Sequence, residues 1–274
     1  MNGQGDFRSP PFQEPTTEPP EPERSSFGYE SVPASAKAPL VRGVFDSVAP
    51  RYDLMNDLMS LGIHRWWKSV MIDVLAPRAP MTLLDVAGGT GDIAMRFLDR
   101  IGDRDEPDAV PARAIVCDIN AEMVAVGRDR AIDRNLLTGI DWVCGDAEAL
   151  PFPSRSVDAC TIAFGLRNVT RIDRALAEMR RVLRPGGRFL CLEFSRVALP
   201  LLDRLYDTYS FRVLPTLGEW VAGDRQAYQY LVESIRRFPA QEEVCERMQA
   251  AGFERVSYRN LSGGVVALHS GWRL

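Results

Sequence analysis

The stretch Leu84-Asp85-Val86-Ala87-Gly88-Gly89-Thr90-Gly91-Asp92 decides how the rest of the chain is read. Thr82 to Ala87 is mostly apolar and predicts a short buried strand, and Asp92 to Ile101 predicts a helix. Between them the glycines permit a tight turn and let a ligand approach the backbone, while the helix start offers unpaired N–H groups. The loop is not specific by itself. Gly89-Thr90-Gly91-Asp92-Ile93-Ala94 also satisfies the loose dinucleotide pattern G-x-G-x-x-A, and a purely structural turn can carry the same residues.

Working outward, strands and helices alternate. Ala114 to Cys117, Ile140 to Cys144, Val157 to Phe164 and Arg188 to Phe194 predict strands. Ala121 to Asn135 predicts a helix, as does Ile172 to Leu183, whose Ile172, Ala175, Leu176, Met179 and Leu183 share one face. Apolar strands separated by helices indicate a parallel sheet covered on both sides, so the expected class is α/β. Upstream, Trp67, Val70, Met71 and Val74 recur at helical spacing and predict an amphipathic helix over Arg65 to Leu75. Near the end, Arg255 to Leu261 and Val265 to Ser270 flank Ser262-Gly263-Gly264 and predict an antiparallel hairpin.

Two regions fall outside this alternation. Residues 1–39 are rich in Pro, Glu and Ser and are expected to form a disordered tail, because such a composition buries too little apolar surface to offset its ordering entropy. The remaining 40–274 is read as one domain, with 40–80 as a helical substrate or lid region and 199–239 as a helical insert. That insert is rich in aromatic residues, including Tyr206, Tyr209, Trp220 and Tyr230. It reads either as a substrate lid or as ordinary helical packing.

Composition narrows the function classes. The chain has 274 residues, 33 basic and 37 acidic, for a net charge of -4, which gives no general reason to bind nucleic acid. No apolar run reaches the roughly 18 residues of a membrane span, and no basic-then-apolar leader is seen, so a cytoplasmic protein is expected. The five cysteines are not at metal spacing and are read as reduced, buried thiols, with no metal site.

Three further segments separate the nucleotide readings. Asp118 ends the second predicted strand of the sheet, where a carboxylate can accept both hydroxyls of a ribose; this also suits NAD. Asp146 and Ala147 follow the third, where an adenine ring can be read, and Arg184-Pro185-Gly186-Gly187 leads into the fifth. This set resembles class I S-adenosylmethionine methyltransferases rather than dehydrogenases, which would usually also need a second catalytic domain. Tyr52 to Trp67, Phe164 to Val169, Arg181 to Ser195 and Tyr209 to Gly218 narrow the resemblance to the ubiquinone/menaquinone biosynthesis C-methyltransferase family, the UbiE type, over about Val41 to the C-terminus.

The resemblance implies a Rossmann-like, mostly parallel seven-stranded sheet with helices on both faces, S-adenosylmethionine as cofactor, and methylation of a ring carbon on a polyprenylated quinol. It implies cofactor contacts at Thr90, Asp118, Asp146 and Ala147, with Gly89 and Gly91 in the same loop. The family often has Lys at position 184 and Ser at position 163; here these are Arg184 and Ala163, and the second change removes a hydroxyl.

The chemistry needs a deprotonated quinol oxygen, because a phenol with pKa of ~10 leaves its ring carbon a poor nucleophile. Arg167 and Asn168, just past the fourth strand, are the candidates to hold that oxygen, Arg167 by electrostatic stabilisation. His64 is a candidate base, with a structural hydrogen bond as its other reading, and His269 reads as structural. Tyr52, Asp53, Asn56 and Tyr209 are candidates to line the pocket. The tail of the substrate implies transient contact with a membrane surface, on its inner face, by an otherwise cytoplasmic protein. A homodimer or a quinone-biosynthesis assembly is compatible with the sequence. Two other functions stay open at this level: a NAD-linked oxidoreductase and a non-catalytic cofactor-binding scaffold.

Overall fold

Leu83, Leu84 and Val86 are each 1% exposed or less, because the strand that carries them, β3 (Thr82–Val86), is paired on both edges and covered on both faces. The computed structural model describes residues 23–48, 57, 60, 62–102, 111–196 and 225–274. Within them β3 is followed by α3 (Asp92–Gly102), β4 (Arg113–Asp118), α4 (Ala121–Asp133), β5 (Ile140–Cys144), β6 (Val157–Ala163), α5 (Ile172–Val182) and β7 (Leu183–Phe194). The chain continues through α6 (Arg225–Arg237) and α7 (Gln241–Ala250) to β8 (Glu254–Leu261) and β9 (Val266–Arg273). Ahead of β3 lie β1 (Arg24–Phe27), β2 (Glu30–Pro33), α1 (Ala34–Val48) and α2 (His64–Leu75).

The seven-stranded sheet has the order β5-β4-β3-β6-β7-β9-β8. The five strands from β5 to β7 are parallel, and β9 pairs antiparallel with both β7 and β8. The order runs outward from β3 in both directions, so β3 and β6 flank the point where connections leave on opposite sides. A crevice opens there at the carboxyl ends of the strands. Alternation along β3 sends Leu84 and Val86 into the core shared with α5, where Leu176, Met179 and Val182 are fully buried. Leu83 faces the other core, with Phe97 of α3 and Trp67 and Met71 of α2. Asp85 follows the same alternation onto that second face.

The elements expected from the sequence appear with small shifts at their ends. β7 is longer than expected: it starts at Leu183, and Pro185-Gly186-Gly187 lies inside it as a kink, marked by a register shift against β6 between Val157 and Ala159. Cys117, Cys160 and Cys191 are buried, but Cys144 is exposed because β5 is an edge strand.

The expected tail needs a larger correction. Residues 24–48 fold into the β1–β2 hairpin and α1, and composition failed as a guide because tertiary contacts, not local propensity, hold them. Phe27 stacks on Tyr230 of α6 with ring centroids 4.3 Å apart, and the buried Lys37 ammonium donates to the Val169 carbonyl at 2.9 Å. Glu23 accepts from the Arg171 guanidinium at 2.7 Å. Residues 1–22 lie outside the described residues, as do Tyr52, Asp53, Asn56, Tyr209 and most of the insert; its last part forms α6.

Candidate active site

At the crevice two strand ends turn in the same strained way. Ala87 after β3 has φ of 50° and Phe164 after β6 has φ of 58°, left-handed values that cost L-residues roughly 1 kcal/mol or more each. Gly165 makes the close approach of these ends possible, because a Cβ there would sit 2.6 Å from that of Ala87. The kinks open a cleft of about 830 Å³, solvent at its mouth included. Its floor is the strand ends and its roof is α1, through Val41, Arg42 and Phe45. Gly89, Asp118, Asp146 and Ala147 line one end, and Phe164, Asn168 and Val169 the other.

Asp118 is the acceptor of this cleft. Its Oδ2 accepts from Gly89 N–H and its Oδ1 from Asn120 N–H, both at 2.8 Å. Burial raises its pKa, and the backbone donors of Asn120, Gly89 and Ile119 pull the other way. The carboxylate keeps acceptor capacity for a further donor. Asp146 accepts from Glu148 N–H at 2.8 Å, which braces the turn after β5.

A small second chamber adjoins, lined by Lys68, Asp85, Thr90, Asp92 and Ala163 among others. Thr90 belongs here rather than in the main cleft; it is 2% exposed and its Oγ1 accepts from Arg130 at 3.3 Å. Asp85 went unselected in the sequence, although it stands in the loop motif itself. It is 1% exposed, accepts from Thr161 Oγ1 at 2.8 Å through Oδ1, and has no partner on Oδ2 among the described residues. Burial pushes its pKa up to about 7, with Thr161 and the Lys68 charge opposing. Lys68 is itself paired with Asp92 at 2.9 Å. Ala163 places a methyl group in this chamber where a serine would add a hydroxyl.

Three expected residues take other places. Gly91 does not line either space: it has φ of 76°, and a Cβ would meet the Trp142 ring at 2.5 Å, so it serves turn geometry and packing. His64 is buried, with Nδ1 2.9 Å from Ser60 Oγ and 3.6 Å from Asp57, and burial pushes its pKa down to about 4. A neutral imidazole tied to its own segment fits the structural alternative, not a base in the cleft. Arg167 is buried behind the cleft. Its guanidinium donates to Glu193 at 2.7 Å and to the Phe164 carbonyl, and its backbone N–H reaches Glu193 at 3.3 Å. Arg167 and Asn168 are adjacent, but only Asn168 lines the main cleft. Asn168 Oδ1 accepts from the Tyr230 hydroxyl at 3.0 Å, which leaves its amide N–H groups as the donors it can offer in the cleft it lines; Tyr230 could not be singled out among the insert's aromatics by spacing.

The sheet order, the glycine turn under α3 and the strand-end carboxylate define a Rossmann-like methyltransferase. Solved structures of that fold superpose on the chain: a methyltransferase from Thermotoga maritima with a TM-score of 0.55 and 20% identity, covering 85% of this chain and 99% of that one. Another from Aquifex aeolicus gives 0.53 and 16%, covering 76% and 89%. The chain belongs to the ubiE/COQ5 methyltransferase family, whose model matches residues 33–273. It is 57% identical to the ubiquinone/menaquinone biosynthesis C-methyltransferase UbiE of Paracoccus denitrificans, over 93% of this chain and 99% of that protein. It is 53% identical to the mitochondrial 2-methoxy-6-polyprenyl-1,4-benzoquinol methylase of Danio rerio, over 90% of this chain and 84% of that one. Family membership replaces the oxidoreductase reading.

Proposed function

We propose that this protein transfers the methyl group of S-adenosylmethionine to a ring carbon of a polyprenylated quinol in ubiquinone or menaquinone biosynthesis, or both. The observation that carries the reading is that one cleft has a ribose-type acceptor, Asp118, at one end and an amide held by Tyr230, Asn168, at the other. The residues fit the cofactor. Asp118 is a buried acceptor at the cleft for the ribose hydroxyls, and Gly89, Asp146 and Ala147 border the space for the adenine side. Asp85 offers an unpartnered buried carboxylate oxygen for an ammonium group, beside Thr90. When bound, S-adenosylmethionine supplies a methyl group activated by a sulfonium.

The chain's own part is to favour the phenolate and exclude water. The Asn168 amide donates to the quinol oxygen, and a preset donor costs no reorganisation at the moment of reaction. Apolar walls from Phe45, Val41 and Phe164 lower the local dielectric, which strengthens that interaction. One guanidinium nitrogen of Arg167 is held by Glu193 and the Phe164 carbonyl, so Arg167 serves the cleft chiefly by holding the turn that presents Asn168. The quinol hydroxyl proton is lost to solvent at the cleft's open mouth before transfer. After the ring carbon takes the methyl group its proton leaves by the same route as the ring regains aromaticity, while the apolar walls keep water from the reacting carbon. His64 takes no part.

Among the described residues no helix is long and apolar enough to cross a membrane. The substrate tail favours lipid by ~0.8 kcal/mol per CH₂, so the protein meets its substrate by reversible contact with the membrane surface. Exposed Ile63 and Trp66, one turn apart at the start of α2, support that contact.

The test is incubation with methyl-labelled S-adenosylmethionine and membranes from cells blocked in quinone maturation. Label is expected in the lipid extract as a C-methylated quinone, and only under reducing conditions. Label confined to water-soluble products, or no turnover with intact cofactor binding, refutes the quinol assignment; the latter leaves a scaffold. Benzoquinol and naphthoquinol acceptors supplied separately assign the ring.

A further inference from the structure

Behind the turn that carries Arg167 lies a second cleft, of about 550 Å³ with its open mouth, which the methyl-transfer reading leaves unused. It is walled by the β1–β2 hairpin, α1, the segment from Arg167 to Ile172 and α6. Three cations line it, Lys37, Arg167 and Arg237, together with the hydroxyl residues Ser25, Ser26, Thr170, Tyr230 and Ser234. No carboxylate is among the described residues lining it.

The charges there are under-compensated. Arg167 spends one nitrogen on Glu193, and its Nε has no hydrogen-bond partner among the described residues although the side chain is only 4% exposed. The Lys37 ammonium is bonded to a neutral carbonyl, that of Val169. The carboxylate that acts on it electrostatically, Glu148, is already taken by the Thr170 and Arg171 N–H groups and the Arg171 guanidinium. Burial pushes the Lys37 pKa down to about 8, as expected for a buried ammonium without a close counter-charge. Arg237 donates to the Tyr29 carbonyl at 3.2 Å and is otherwise exposed at the mouth. Buried cations are normally paired, and planar guanidinium donors with hydroxyls around them match tetrahedral oxyanions.

We propose that this cleft is a binding site for a phosphoryl oxyanion, taken either free, as phosphate or diphosphate, or as the head group of an anionic lipid. A bound oxyanion would lie against Arg167 and Tyr230, the two residues that hold Asn168 in place, so occupancy of this cleft would be felt in the main one. The proposal stands whether or not the acceptor is a quinol, because it is read by binding.

The experiment uses the full chain. Binding of inorganic phosphate and of diphosphate is measured by calorimetry and by thermal shift, against chloride at matched ionic strength. Saturable binding is expected, at least tenfold weaker in Arg237→Ala and in Lys37→Met. Should Lys37→Met fail to fold, Ser26→Ala and Arg237→Ala, at half-buried and exposed positions, carry the test alone. A stabilisation equal to that of chloride, or affinities unchanged in the variants, means an adventitious ion only and overturns the proposal. Flotation with phosphatidylglycerol or phosphatidylcholine vesicles separates the sources. Capture by the anionic vesicles that diphosphate competes away and Arg237→Ala loses identifies a lipid head group; binding of the free anions without such capture identifies a soluble ligand.

Discussion

Replacing Asp85 by Asn should stabilise the protein while weakening its cofactor binding. The carboxyl is 1% exposed, and burial lifts its pKa from 3.8 to about 7. A raised carboxyl pKa means that the folded state prefers the protonated form. Its contribution to stability is fully present below pH 3.8, and is lost as pH rises through about 7. About three pKa units correspond to ~4 kcal/mol, so the group costs the fold that order at pH 8, where it is ionised in both states, and under ~2 kcal/mol at pH 5, where only the unfolded state has ionised it. Asparagine keeps the shape and the hydrogen bond from Thr161 but cannot ionise. Denaturant unfolding of wild type and Asp85→Asn at the two pH values measures the difference directly. The variant should be more stable by about 4 kcal/mol at pH 8, with a visibly smaller gain at pH 5. S-adenosylmethionine affinity should fall at pH 8, since the unpartnered oxygen offered to its ammonium is gone. A stability difference that does not change with pH would refute the reasoning about burial; unchanged affinity would remove Asp85 from the cofactor site.

Other perturbations test the remaining assignments. Asp118→Ala should weaken S-adenosylmethionine by roughly 100-fold or more in calorimetry, as two charge-assisted hydrogen bonds are lost, and unchanged affinity defeats its placement. Arg167→Ala leaves Glu193 buried and unpaired, so it should cost ~3–5 kcal/mol in unfolding as well as turnover. A pure loss of turnover with full stability would restore Arg167 as a direct contact to substrate. Tyr230→Phe removes the hydroxyl that orients Asn168 and should lower kcat by about tenfold with cofactor affinity intact; equal loss of both would make its role structural. Deleting Met1 to Ala38 should lower the melting temperature and the methyl-transfer rate, because it removes the Phe27–Tyr230 stack and the Lys37 bond to Val169. A truncated protein of unaltered stability would show that the hairpin is dispensable.

Much of the fold was legible along the chain because its signals are local. A strand buried on both faces must be apolar throughout, so Thr82–Val86 and Val157–Ala163 stand out with no knowledge of their neighbours. The turn at Gly88 to Gly91 announces itself because few residues other than glycine tolerate its backbone. Asp118, Asp146 and Ala147 were legible as candidates by their position at strand ends, which the alternation of elements already places on one edge of the sheet, and the fold brings all three to one cleft.

What the tertiary structure decided concerns direction and partnership. Arg167 and Asn168 are neighbours in the chain, yet only folding shows that one faces Glu193 in the interior and the other faces the cleft. His64 carries a ring suited to acid–base work, and its burial against Ser60 removes it from that work. Asp85 reads as one more loop residue until the strand's alternation and the missing partner on Oδ2 make it a buried acceptor. Residues 24–39 have the composition of a tail, and they are ordered by Tyr230, Val169 and Arg171, groups more than a hundred positions away. Local pattern reports periodicity and backbone freedom, both set by a residue and its near neighbours. Charge compensation, burial of a polar atom and the docking of a terminal hairpin depend on groups brought together only by the closed sheet, and no window along the chain contains them.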